Sequence, residues 1–200
     1  QTFAPPILAA AGYLVFAPNF RGSVGYGTRF LKLVERDWGH GPRLDMVAGV
    51  EWLLAQGIAQ RDKIFLVGGS YGGYMTLLLH GRHPEYWRAC VDIFGPSNLF
   101  TFINSVPDFW RPMMEEWLGH PERDKEKLTE DSPITYLKNM TKPMLIIQGA
   151  NDPRVVKAES DQIVEALRAQ GTPVEYMVLE DEGHGFSKIE NEIAVYRRIL

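Results

Sequence analysis

The sequence predicts an α/β fold, a mostly parallel sheet with helices on both faces. Short apolar runs rich in β-branched and aromatic residues alternate with longer amphipathic stretches nearly throughout. One run, Ile64-Phe-Leu-Val67, is apolar at every position, as suits a parallel strand covered on both sides. Glycines stand at the joints between runs.

In chain order, Tyr13-Leu-Val-Phe-Ala17 reads as a buried strand ended by Pro18-Asn19. A loop with Gly22, Gly25 and Gly27 follows. From Asp45 to Gln56, Val47, Val50 and Leu54 share one helix face, and Gly57 sits where a left-handed cap belongs. Ile64–Val67 is the next strand. Gly72–His80 is a helix with a Met75, Leu78, Leu79 stripe, and Ala89–Phe94 a third strand. Residues 95–142 carry no strand signal. Trp110, Met113, Met114 and Trp117 recur there at helical spacing, so this stretch reads as a helical excursion over one end of the sheet. Met144–Gln148 is a fourth strand. Lys157–Gln170 is a helix burying Ile163, Val164 and Leu167, stopped by Gly171. Val174–Leu179 is a fifth strand, and Glu190–Leu200 a final helix that reads as cut short.

Composition narrows the classes. The 200 residues suit one domain, and 45% hydrophobic with 23% charged residues is ordinary for a globular chain. A net charge of −4 gives no electrostatic footprint for nucleic acid. No apolar run approaches the ~18–20 residues of a membrane span. The lone Cys90 excludes an internal disulfide and a cysteine-built zinc site. Gln1 opens the chain with neither Met nor a charged leader, so the reading expects a cytoplasmic protein and a start cut from a longer polypeptide.

The sharpest signal is Gly68-Gly-Ser-Tyr-Gly-Gly73, set between a strand and a helix. G-x-S-x-G puts a serine on a strained strand-to-helix turn, and a Cβ two residues to either side is expected to collide with a neighbour. The serine then stands at a helix N-terminus, whose unpaired N–H groups favour a developing anion. With 19 glycines in 200 residues, chance supplies only about 0.06 such matches. The competing reading is a glycine-rich turn used for packing. A P-loop is excluded, because no Gly-Lys-Ser/Thr follows.

A serine nucleophile needs a base, itself oriented by a third group. In this architecture the partners follow as acid and then histidine, each past a later strand. Asp152 lies in Gly149-Ala-Asn-Asp-Pro-Arg-Val155, past the fourth strand, and His184 in Glu182-Gly-His-Gly-Phe186, past the fifth. His80 and His83 read as a helix-end cation or solvated ring; their spacing could hold a metal, but no third ligand is evident. His40 and His120 read as exposed loop residues. Asp161 lies inside a helix, Asp181 is too near His184 in sequence, and Asp92 reads as a buried hydrogen-bonding residue. A turn-forming Asn-Asp-Pro is the competing reading for Asp152.

Taken together, Asn19-Phe-Arg-Gly-Ser-Val-Gly-Tyr-Gly27, Asp37-Trp-Gly39, Gly68–Tyr74, Ser132-Pro-Ile134 and the Asp152 and His184 loops come in the order found in prolyl oligopeptidase family serine peptidases. The chain resembles most the acylaminoacyl-peptidase and dipeptidyl-peptidase branches. The resemblance implies that residues 1–200 are a single, incomplete α/β-hydrolase catalytic domain, truncated at its N-terminal strands and in its last helix. It implies Ser70 as nucleophile, His184 as general base and acid, Asp152 as orienting carboxylate and the Tyr71 N–H as one oxyanion donor. Family-like pocket positions fall on Tyr71, Leu99, Phe102 and Val155, which suit a hydrophobic or small side chain and equally suit plain core. Arg154 could meet a substrate carboxylate or serve as a surface ion pair. No cofactor or metal is implied; the partner is a peptide substrate, with homo-oligomers allowed and a β-propeller expected in the parent chain.

Two family features have no counterpart in these residues. One is that propeller. The other is a loop upstream of Arg21 bearing a second oxyanion donor, on a strand that in the family lies between the counterparts of 13–17 and 64–67. Losing such a donor costs ~10²–10³ in turnover, so the chain alone is expected to be weak or not closed into a sheet. A carboxylesterase or lipase remains the alternative, since fold and triad do not fix the leaving group. A non-catalytic binding module is the alternative from another class.

Overall fold

The computed structural model describes residues 5–200. Its elements are α1 (Pro5–Ala10), α2 (Thr28–Leu31), α3 (Gly41–Ala55), β1 (Phe65–Gly69), α4 (Tyr71–Arg82), β2 (Ala89–Ile93), α5 (Leu99–Ser105), α6 (Arg111–Leu118), α7 (Lys125–Asp131), β3 (Met144–Gly149), α8 (Lys157–Ala169), β4 (Val174–Leu179) and α9 (Ile189–Ile199). The sheet runs β1-β2-β3-β4, parallel throughout. Gly69 lies opposite Ile93 and Gly149 opposite Leu179, so the strands' C-terminal ends share one edge. Loops that leave neighbouring strands there are brought side by side.

Both faces of the sheet are covered, which explains the unbroken apolar runs. On β3, Ile146 enters a large core cluster with α4 and α8, while Ile147 enters a second cluster with Val195 of α9. Both isoleucines are fully buried, a contribution of ~1.5–3 kcal/mol each. α4 threads the larger cluster: Tyr74, Leu77, Leu78 and Leu79 have no exposed surface. Gly57 and Gly171 adopt positive φ where α3 and α8 stop, as expected of left-handed caps.

The excursion between β2 and β3 is helical, as α5, α6, α7 and a 3-10 run at Pro133–Asn139. Its first turn is tied to α8 by Glu159, which accepts the N–H groups of Ser97 (3.2 Å) and Asn98 (3.1 Å) and the Thr101 hydroxyl (2.6 Å). No helix among the described residues is long and apolar enough to cross a membrane.

One expectation fails. Residues 13–17 form no strand, and Leu14 is 68% exposed. The Phe16 ring fills the space beside Gly49 of α3. Towards β1, the Tyr13 and Phe65 rings meet edge-on with centroids 5.8 Å apart. An open cleft of about 2300 Å³ adjoins both the segment and β1. β-Branched and aromatic residues extend the chain, but a strand exists only where a neighbour supplies the ladder.

Candidate active site

Ser70 stands between β1 and α4 with φ 58 and ψ −116, a backbone region that costs a non-glycine residue strain. The packing that forces this turn is unequal around it. A Cβ on Gly68 would lie 2.1 Å from the Gly72 carbonyl oxygen, whereas one on Gly72 would meet nothing within 4 Å. The expectation of two equivalent clashes is thus corrected. The crowded helix-side position is Gly73, whose Cβ would sit 2.5 Å from Asp92 Oδ1. Ser70 N–H donates to Ile93 O (2.9 Å), which pins the turn to β2.

Asp152 follows β3 in a loop braced by Gln148. That buried amide donates to Val155 O (3.0 Å) and accepts from Ser160 Oγ (2.7 Å). The carboxylate itself is satisfied on both oxygens. Oδ1 accepts the N–H groups of Arg154 and Val155, each at 2.9 Å, and Oδ2 lies 2.6 Å from His184 Nδ1.

His184 follows β4. A Cβ on Gly149 would sit 2.1 Å from Gly183 O, so the acid and base loops touch backbone to backbone only because residue 149 is glycine. Glu182 fastens the base loop to the start of α9, accepting Ser187 N–H and Lys188 N–H at 2.9 Å and Asn191 Nδ2 at 2.9 Å. These bonds hold its carboxyl down to about 2. His184 Nε2 lies 2.9 Å from Ser70 Oγ. A carboxylate only accepts, so Nδ1 carries the proton and Nε2 offers its lone pair to the Ser70 hydroxyl. The Phe94 ring packs on the imidazole, centroids 4.3 Å apart.

The structure therefore brings Ser70, Asp152 and His184 together from loops after three strands. Tyr71 opens α4, where a backbone N–H has no intrahelical acceptor. Its hydroxyl donates to Trp38 O (2.7 Å), and burial pushes that phenol far above its ordinary value, so it stays neutral. Leu99, Phe102 and Val155 are all buried within the larger core. Among the described residues, the cleft beside Ser70 is walled instead by Tyr71, Phe94, Arg154, Gly185 and Phe186. Arg154 is exposed on that wall.

The remaining candidates separate. His80 is wholly buried, not solvated: Nε2 accepts Lys142 N–H (3.0 Å), and burial pulls the ring down to about 4. His83 faces the buried Arg43 guanidinium (2.6 Å). His40 is exposed, and His120 is half-buried, accepting Glu122 N–H (3.1 Å). Asp161 pairs with Lys157 and Asp181 with Lys188. Asp92 is buried and accepts Gly95 N–H (2.9 Å). No His, Cys, Asp and Glu cluster with metal-holding geometry occurs among the described residues. Gln148, Glu182 and Phe94 were missed by sequence reasoning; only the position of Glu182 two residues before the histidine offered a signal.

Comparison with known proteins shows the family. The model of the prolyl oligopeptidase family matches residues 2–200. The chain is 45% identical over 192 residues to dipeptidyl aminopeptidase BIII of Pseudoxanthomonas mexicana, covering 94% of this chain and 28% of that protein. It is 40% identical to dipeptidyl peptidase family member 6 of Caenorhabditis elegans, covering 96% of this chain and 27% of the relative. A puromycin-hydrolyzing peptidase of Mycobacterium tuberculosis superposes with TM-score 0.84 at 30% identity, over 89% of this chain and 27% of that one. The chain thus spans less than a third of the length of these relatives.

Proposed function

Because the chain belongs to the prolyl oligopeptidase family, we propose that it is the catalytic domain of a serine peptidase that hydrolyses short peptides through an acyl-enzyme. The observation that carries the proposal is the unbroken relay of Ser70 Oγ, His184 Nε2, His184 Nδ1 and Asp152 Oδ2, with links of 2.9 and 2.6 Å. Ser70 attacks the scissile carbonyl carbon while its proton passes to Nε2. Asp152 stabilises the imidazolium, and the carbonyl oxygen, now negative, rests on the Tyr71 N–H. Collapse of the intermediate releases the amine, which takes the proton from His184. Water then repeats the sequence on the ester.

The aromatic group of Trp38, Tyr71 and Phe102 backs the Ser70 turn, with the Trp38 and Tyr71 rings 4.8 Å apart. The Tyr71, Phe94 and Phe186 rings that wall the cleft beside Ser70 support a preference for apolar side chains at the cleaved residue, while Leu99, Phe102 and Val155 belong to the core. Arg154 is positioned to meet an anionic or carbonyl group of the substrate. In the whole protein we propose a β-propeller restricting access, since the relatives extend well beyond the matched stretch, and a cytoplasmic location, which fractionation would check. The substrate class is tested by comparing a dipeptidyl anilide with a short-chain ester on the full-length protein. Faster kcat/KM on the anilide is expected; turnover of the ester alone would replace the peptidase reading with an esterase.

A further inference from the structure

We propose that Phe94 is a positioning residue for the base. Its ring holds the His184 imidazole in place and stabilises the imidazolium formed when Ser70 gives up its proton. The proposal rests on the triad reading above and extends it to a side chain outside the serine, histidine and carboxylate pattern.

Phe94 directly follows β2, between the Ser70 turn after β1 and the Asp152 loop after β3. Its φ is +40, left-handed backbone that a side chain of this bulk rarely adopts. Several contacts impose it. Phe94 N–H donates to Ile147 O (2.8 Å), and Ile93 O accepts Ser70 N–H (2.9 Å). Gly95 N–H donates to Asp92 Oδ1 (2.9 Å). Gly95 also presses so close to α4 that a Cβ there would lie 2.2 Å from the Gly73 carbonyl carbon. Burial pushes the Asp92 carboxyl above its ordinary range.

The strained turn delivers an aromatic ring to the base. The Phe94 ring is 2% exposed, its centroid 4.3 Å from that of His184 at an interplanar angle of 42°, with Phe186 packed on it at 5.9 Å. A cation within about 6 Å of an aromatic centroid is attracted by the ring quadrupole, more so where water is excluded. The bond to Asp152 fixes Nδ1 but leaves the imidazole a pivot. The ring beside it limits that swing and keeps Nε2 on Ser70 Oγ.

The electrostatic contribution appears during the reaction. A neutral imidazole gains little from the ring. As the Oγ–carbon bond forms, the Oγ–H bond breaks and the proton moves to Nε2, making the imidazole a cation. An attraction stronger in the transition state than in the ground state raises kcat and leaves KM alone.

The test replaces Phe94 in the full-length protein with progressively fluorinated phenylalanines, which keep the ring's shape and drain its π face, alongside Phe94→Leu. Turnover of a dipeptidyl anilide should fall stepwise along the fluorinated series, reaching about tenfold in kcat with KM changed by less than about twofold. Thermal melts of the fluorinated proteins should match the unsubstituted one. If kcat stays level along that series, the ring does not stabilise the imidazolium and the proposal as stated is overturned, whatever Phe94→Leu does. Should Phe94→Leu fail to fold, the fluorinated series still decides. Failure of Ser70 to react with a fluorophosphonate in the unsubstituted protein would bring down the triad reading itself, a result distinguishable from a flat fluorinated series in a protein that does react.

Discussion

A serine hydroxyl at its free pKa is a weak nucleophile, so the chemistry depends on what each neighbour does with its protons. Asp152 is fully engaged by two backbone N–H groups and the imidazole, which leaves Nε2 no ambiguity of role. A second histidine shows the opposite use of burial. Among the described residues His80 has a polar partner at Nε2 and none at buried Nδ1, and the ring is held down to about 4 from 6.5. The folded state thus disfavours the proton that the unfolded chain accepts below about 6.5. Stability from this site is complete above the unfolded value and is lost as pH falls from 6.5 towards 4. His80→Gln keeps an acceptor for Lys142 N–H and cannot titrate. Urea denaturation between about pH 7.5 and about pH 5 should show the unsubstituted protein losing ~2 kcal/mol more than the variant. Parallel losses would show that His80 does not carry the dependence.

At the scale of elements, the β1–α4 joint decides where the nucleophile stands. Its steric constraint rests on Gly68, against the Gly72 backbone, and not on Gly72. Gly68→Ala should lower the melting temperature sharply, by several kcal/mol of stability, because the clash is with backbone that cannot swing aside. Gly72→Ala, in the first turn of α4, should melt within a few degrees of the unsubstituted protein. Equal losses in the two variants would contradict the geometry. The pattern Gly68-Gly-Ser-Tyr-Gly-Gly73 made this turn legible in the sequence, since strand, serine and helix are contiguous. Asp152 and His184 were legible for a related reason: each lies just past a run with a clear strand signal. Phe94 was not legible, because its left-handed backbone is imposed in part by Gly73 and Ile147, which are remote from it in sequence.

For the whole molecule, the parallel order β1-β2-β3-β4 explains how residues 114 positions apart meet: every functional loop leaves the same sheet edge. The helices after residue 40 and four of the five strands were legible in outline from apolar patterning, because their apolar residues face one of two cores. By contrast, α1 and α2 bury no residue and gave no such signal. The strand expected at residues 13–17 did not form, since local preference makes a chain extended without giving it a neighbour. The proposed chemistry turns on Ser70 as the activated nucleophile. Reacting the full-length protein with a fluorophosphonate and locating the adduct by peptide mass spectrometry tests it most directly. The adduct is expected on Ser70 alone and should vanish in Ser70→Ala; an adduct on another residue, or one that persists in Ser70→Ala, would contradict it.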